Sequence, residues 1–373
     1  MGSAALYQLA KRGTRVLGID RFAPPHEQGS SHGDTRITRL AIGEGAHYTP
    51  LVKRSHQIWR EIEGETGADL LTQCGELIIS SGNRKFSVHV EGFFQNTINA
   101  ARDHGIAHEL LDASQIRSRF PQFNVQDNER GYFEPEAGFV RPEACIGAQL
   151  SLAEKHGAEI CRGETVFVFG TTPNGVTVKT DKGFYQTDRL IVAAGAWLPK
   201  LLGGPFEKLL KIHRQVLHWF ETGSDPLQFA PQNFPVFIWE PPDARQGIYG
   251  FPVVDSGLKI ATEQYSDVTS PDAVSRDVGP VEIAQMYESF VRPYLKNVLP
   301  NAVKAKVCLY TVTPDAGFIL DHLPQSERII VASCCSGHGF KHSAAIGEVL
   351  ADMAQNRPTP LDISPFRLAR FSA

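Results

Sequence analysis

The first twenty residues constrain the fold more than any other stretch. Gly2 to Leu9 is rich in small and apolar residues and favours a helix, Lys11-Arg12-Gly13 closes it, and Thr14 to Ile19 reads as a buried strand ending in Asp20. This is the helix and second strand of a βαβ unit. In the dinucleotide-binding version of that unit, phosphates sit at the helix N-terminus and an acidic side chain after the second strand accepts hydrogen bonds from ribose hydroxyls. Gly2, Ala5 and Asp20 are spaced like the last glycine, the helix and the acid of such a fingerprint, without its first strand and first two glycines. A plain buried helix followed by a surface Asp gives the same letters. The spacing predicts that the functional protein begins upstream of Met1, with a short apolar strand and a glycine-rich turn leading into Gly2.

The rest of the chain continues the alternation of helix and strand expected of an α/β protein. Helices are predicted over Leu51–Gly64, Phe86–Gly105, Pro142–Gly157, Gly279–Leu295 and Gly337–Gln355, and strands over Glu76–Ser80, Ala158–Cys161, Gly175–Thr180, Arg189–Ala194, Ala305–Thr313 and Arg328–Ser333. The middle is different: Lys211–Glu221, Pro235–Glu240, Gly247–Pro252 and Leu258–Glu263 are strand-like runs separated by Pro, Gly and Asp turns, which predicts an antiparallel sheet. The expected architecture is therefore a Rossmann-like nucleotide-binding domain in discontinuous pieces (1–80, 140–205 and 305–373). The second domain, of α+β type, would be formed by 81–139 and 206–304, with the site between the two.

Composition narrows the function. The 373 residues are 42% hydrophobic and 21% charged with a net charge of -4, an ordinary globular balance. No Lys/Arg block offers a grip on nucleic acid, so a small molecule is the expected partner. The longest apolar runs are broken by Gly, Pro or Ser and are too short for a membrane span, and the first residues lack the basic and apolar regions of a secretory signal. Six cysteines show neither a C-x-x-C pair nor zinc spacing. A reducing cytoplasm is expected, with no metal.

Three stretches carry chemistry. Gly29 to Arg39 packs His32, Arg36 and Arg39 into a small polar loop; arginines there hold a carboxylate through two parallel hydrogen bonds, or else lie in surface ion pairs. Ala193-Ala194-Gly195-Ala196-Trp197 follows a buried strand with side chains small enough for a ligand or simply for close helix packing. Ser336-Gly337-His338-Gly339-Phe340-Lys341 reads as the opening of the long late helix, whose free N–H groups favour an anion.

Four ordered blocks give these stretches a common meaning: Pro24-Pro25-His26 leading into Ser31-His32-Gly33-Asp34-Thr35-Arg36; Tyr249-Gly250-Phe251-Pro252 with Gly257-Leu258-Lys259; Cys308-Leu309-Tyr310-Thr311; and Ser336 to Lys341. Over essentially the whole chain they resemble the monomeric sarcosine oxidase and N-methyltryptophan oxidase family of FAD-dependent amino-acid oxidases. The resemblance implies FAD joined through Cys308, with Gly2, Asp20, Gly195, Gly337, His338, Gly339 and Phe340 around the cofactor. It implies Arg39 and Lys341 on the substrate carboxylate, Tyr249 and Tyr310 at the substrate cavity, and His32 and Arg36 near the flavin ring. Lys259 would be the cation that assists oxygen reduction. The implied reaction is oxidative demethylation of an N-methylated or other secondary amino acid, giving primary amino acid, formaldehyde and hydrogen peroxide, in a monomer whose partners are an amine and oxygen; the alternatives are another FAD-dependent amine oxidase or dehydrogenase that deaminates its substrate, or a catalytically impaired fragment if Met1 is the true start. Two positions depart from the family: Glu263 and Leu40 stand where close relatives have His. Glu263 is in the expected pocket, so the substrate differs more readily than the reaction.

Overall fold

The computed structural model describes residues 1–82, 90–241 and 246–371. The first helix, Gly2–Lys11, is buried from Ala4 to Ala10 and packs between the helices Pro142–Lys155 and Ser343–Ala354. Gly347 makes the second crossing possible, because a Cβ there would lie 2.4 Å from that of Ala4. The strand Leu17–Asp20 pairs in parallel with Glu159–Arg162, and Leu190–Val192 pairs in parallel with Ser326–Ser333, which in turn pairs antiparallel with Ile319–Leu323. Leu17–Asp20 and Leu190–Val192 each have one pairing edge in use among the described residues. Helices packed on short parallel pairs are the α/β part of the fold.

The other part is a mostly antiparallel sheet, nine-stranded among the described residues. Lys211–Thr222 lies between Leu258–Thr262 and the long strand Val298–Val312, and the sheet continues through Ile248–Phe251 and Val236–Glu240 to Glu76–Ser80, Arg130–Glu134 and Glu109–Asp112. One face is filled by aromatic side chains, with Phe123, Phe234, Phe237 and Trp239 in mutual ring contact. Such rings combine large apolar area with specific geometry, which makes this face a rigid backing for whatever the opposite face presents.

Several boundaries differ from expectation. Glu76–Ser80 pairs in parallel with Val236–Glu240, and the strand bearing Cys308 starts at Val298 and pairs along Lys211–Thr222, so both strands are part of the large sheet. Pro300 and Asn301 give the start of that strand the look of a turn. The helix from Gly279 ends at Met286 and continues as a wider turn over Tyr287–Val291. The helix expected over Phe86–Gly105 spans Phe93–Asp103, its expected start falling partly in 83–89, outside the described residues. The late helix does not open at Ser336. Ser336 and Gly337 both have left-handed backbone (φ 41° and 84°), Phe340–His342 is a single 3-10 turn, and the α-helix begins at Ser343. Two successive left-handed residues are incompatible with a right-handed helix.

Candidate active site

A cavity of about 1510 Å³ runs from the end of the first strand, past the first helix, to the inner face of the large sheet. Single small-molecule sites occupy about 300 to 1,000 Å³, so this one has room for two ligands. Of the residues singled out in the sequence, Gly2, Asp20, Arg36, Arg39, Gly195, Tyr249, Glu263, Tyr310, Gly337, His338, Gly339, Phe340 and Lys341 all line it. Residues from the two ends and the middle of the chain thus meet on one surface.

At one end Asp20 accepts from the Phe22 backbone N–H at 2.8 Å and lies 3.5 Å from His26. Trp197 donates to Asp272 at 3.1 Å, and Arg21 and Lys200 reach the same carboxylate, so the loop around Asp272 is tied across this mouth. Along the wall a Cβ placed on Gly2 or Gly195 meets nothing within 4 Å, which leaves a cradle open to a close ligand. The buried hydroxyls of Thr311 and Ser333 line the same wall and have no hydrogen-bond partner among the described residues. Buried polar atoms of this kind need a partner.

The other end is a charged cluster. Arg39 and Lys341 are both almost wholly buried, and Glu44 serves both: Arg39 Nη2 donates to Glu44 Oε2 at 2.6 Å, and Lys341 Nζ lies 3.6 Å from Glu44 Oε1. Behind Arg39, Glu76 Oε1 is 3.6 Å from Nη1. Burial alone would lower the Arg39 pKa, but Glu44 and Glu76 outweigh it and hold the guanidinium charged. Burial brings Lys341 down to about 8, against the opposing pull of Glu44. Tyr249 and Tyr310 also line the cavity, with their hydroxyls 3.4 Å apart, and burial pushes both phenols up, so they remain neutral donors. Arg39 and Lys341 thus converge on one carboxylate, that of Glu44, at the cavity wall.

Three singled-out residues lie just behind the cavity wall rather than on it. Lys259 donates to Gly33 O and Thr35 O, both at 2.6 Å, and to Thr35 Oγ1 at 3.1 Å, with the Phe251 ring 4.2 Å from its nitrogen. Burial and the Arg36 charge push its pKa down, while three oxygen acceptors are what an ammonium group asks for. His32 Nε2 is 3.1 Å from Gly29 O, and burial, then Arg36, lowers its pKa to about 3, so it is neutral. Cys308 lies under the loop, 3.3 Å from Arg36 Nη2 and 3.5 Å from Ser30 O; burial raises its thiol pKa and Arg36 opposes that. Lys259 and Cys308 both contact the backbone of the segment Ser30–Arg36, to which His32 belongs.

Sequence reasoning missed Glu44 and Glu76. Glu44 is the acid of Gly43-Glu44-Gly45, five residues after Arg39, and Glu76 is the one charged residue of the otherwise apolar run Glu76-Leu77-Ile78-Ile79. An acid heading a fully buried strand is the signal that was available.

The sequence profile of the FAD dependent oxidoreductase family matches residues 1–353. The chain is 39% identical over 376 residues to the monomeric sarcosine oxidase of Bacillus sp. (strain NS-129), covering 99% of this chain and 94% of that protein. It is 36% identical over 372 residues to the N-methyl-L-tryptophan oxidase of Yersinia pestis (strain Pestoides F), covering 100% and 96%. Its fold is like that of NikD, an unusual amino acid oxidase essential for nikkomycin biosynthesis, with a TM-score of 0.82 at 24% identity over 98% of this chain and 94% of that one. The glycine cradle and the unpartnered Thr311 and Ser333 hydroxyls fit a long, hydrogen-bonding cofactor such as FAD. Cavity, cradle and sequence agree: the chain is an FAD-dependent oxidoreductase, a member of the family that includes the sarcosine and N-methyl-L-tryptophan oxidases.

Proposed function

We propose that the protein oxidises a small N-methylated or other secondary amino acid, with oxygen as electron acceptor, releasing the primary amino acid, formaldehyde and hydrogen peroxide. The observation that carries this reading is the pair Arg39 and Lys341, buried side by side on the cavity wall and already holding a carboxylate, that of Glu44. A substrate carboxylate takes the same contacts, one from a planar fork and one from a point charge. Tyr249 and Tyr310 line the same cavity and stay protonated, so they would orient the amine without removing its proton. FAD, when bound, would supply the two-electron redox chemistry that links the amine to oxygen. Gly2, Asp20, Gly195 and the 337–340 segment would hold it, with Thr311 and Ser333 as further donors. Lys259, behind the Gly33–Thr35 backbone, supplies a fixed positive charge on the side of the loop where Cys308 and Arg36 lie, and Cys308 is the residue through which we expect the flavin to be attached. The substrate we favour is neutral at nitrogen when it reacts. The protein would act as a monomer in the cytoplasm; among the described residues no helix is long and apolar enough to cross a membrane.

Product analysis tests the reading. Turnover of an N-methyl amino acid should give formaldehyde and peroxide in equal amounts. A keto acid and methylamine instead would mean that the Cα–N bond is the one oxidised.

A further inference from the structure

Glu76 and Glu134 sit directly opposite each other in neighbouring antiparallel strands, both buried, so two carboxyl groups share one spot on the sheet, where Arg39 approaches Glu76. Like charges in such a pair repel, and in a buried site one of them is driven to the neutral form. The partners decide which. Burial raises the Glu134 pKa, but Glu134 accepts from the Leu40 N–H at 2.6 Å, the Ala41 N–H at 3.1 Å and the Tyr132 hydroxyl at 2.9 Å, contacts that oppose the rise and that Glu76 lacks. Neither oxygen of Glu76 has a hydrogen-bond partner among the described residues, and its one close cation there is Arg39. Around it stand Arg39, Lys341, Glu44, Glu134, Tyr132 and Cys74. Three carboxyl groups therefore face two cations before any anion arrives.

On the reading that Arg39 and Lys341 bind the substrate carboxylate, we propose that Glu76 is a proton-coupled positioning residue: it takes up one proton from solvent when an anionic carboxylate enters, and releases it when the anion leaves. Protonated Glu76 adds no charge to the cluster, so Arg39 and Lys341 remain available to the substrate. Ionised Glu76 competes for Arg39 from behind and repels the incoming anion. Burial already raises the carboxyl to about 8, with Arg39 pulling the other way and Glu134 adding to the rise. The uptake is consequently small at neutral pH, where Glu76 is largely protonated beforehand, and grows as the pH climbs past that value.

The test uses the flavin-loaded protein and propionate, a carboxylate without an amine, with binding followed by flavin absorbance. From about pH 6 to about pH 7, Glu76→Gln and the unaltered protein should bind propionate alike, and near pH 9 the variant should bind about tenfold more tightly, since linkage costs an ionised group up to tenfold per unit. Lys341 also titrates near this range, but it is present in both proteins, so the ratio between them reports on Glu76. A ratio that stays constant with pH, or a variant weaker at every pH, overturns the proposal and makes Glu76 a fixed anchor. Infrared difference spectra of the unaltered protein at about pH 9 give an independent readout should the variant fail to fold: propionate should bring up the carbonyl band of a protonated carboxylic acid, which a lysine cannot produce. Absence of the band also overturns it. If propionate does not bind at all, or Arg39→Ala leaves its affinity unchanged, the carboxylate-site reading falls and this inference with it.

Discussion

Arg39 and Glu44 form an ion pair at 2.6 Å in which each side chain is only 2% exposed. A buried pair is weak evidence for stability, because desolvating both charges consumes most of their attraction, yet removing one partner costs about 3 to 5 kcal/mol. It lies on a cavity wall with Lys341 within 3.6 Å of the same carboxylate, and on the proposed function a substrate carboxylate would take these contacts.

Arg39→Ala should therefore weaken amines that carry a carboxylate far more than amines that lack one. Loss of a charge-assisted contact is worth about 1.5 to 3 kcal/mol, or on the order of 10- to 150-fold. Comparing KM for an N-methyl amino acid and for an N-methylalkylamine in the two proteins checks it. An equal loss on both would show that Arg39 supports the fold instead.

Cys308→Ser should leave FAD bound but removable. The thiol sits beside the Arg36 guanidinium, which favours the thiolate needed for attachment against the effect of burial. Acid precipitation separates the cases: the unaltered protein should carry its yellow colour into the pellet, the variant should leave it in the supernatant. Colour released by the unaltered protein would remove Cys308 from this role.

How much of this was legible beforehand depends on range. The helix Gly2–Lys11 and the middle strands follow from local periodicity, and Gly175–Thr180 was located to the residue. Arg39, Lys341, Tyr249 and Tyr310 were legible as motif positions, and the structure brings them onto one cavity. Glu44 and Glu76 were not, because what matters about them is whom they meet: Lys341 is contributed from the far end of the chain, and Glu134 from a strand paired across the sheet. The turn at Ser336–Gly337 was hidden for a different reason. A left-handed serine cannot be read from its letter, and the apolar periodicity of Ser343–Ala354 invites extending the helix back through it.

Lys259→Met should slow reoxidation by oxygen much more than reduction by substrate. Negative charge appears on oxygen only in the second half-reaction, and a fixed cation lowers that barrier. Lys259 is held rigidly by Gly33 O, Thr35 O and Thr35 Oγ1, so its charge needs no reorganisation. Anaerobic stopped-flow measurement of each half-reaction decides. Similar slowing of both would mean that the lost hydrogen bonds distort the loop bearing Arg36 and Arg39.

Gly339→Ala should abolish carboxylate binding and prevent flavin incorporation, whereas Gly13→Ala should do neither. A Cβ on Gly339 would fall 1.8 Å from the Cys334 carbonyl oxygen and 3.0 Å from the Cys335 Cα, both backbone atoms that cannot swing aside. The segment must shift, and it carries His338 and Lys341, whose Nζ donates to His338 O at 2.9 Å. Overpacking of this kind costs about 1 to 3 kcal/mol or more. Gly13 has φ 74° with nothing within 4 Å of where a methyl group would sit, so alanine there costs only the left-handed backbone strain of about 1 to 2 kcal/mol. Both variants should lower the unfolding temperature, but only Gly339→Ala should lose flavin absorbance and propionate binding. A Gly339→Ala protein with full flavin and unaltered propionate affinity would show that the 334–341 segment does not hold the site in place.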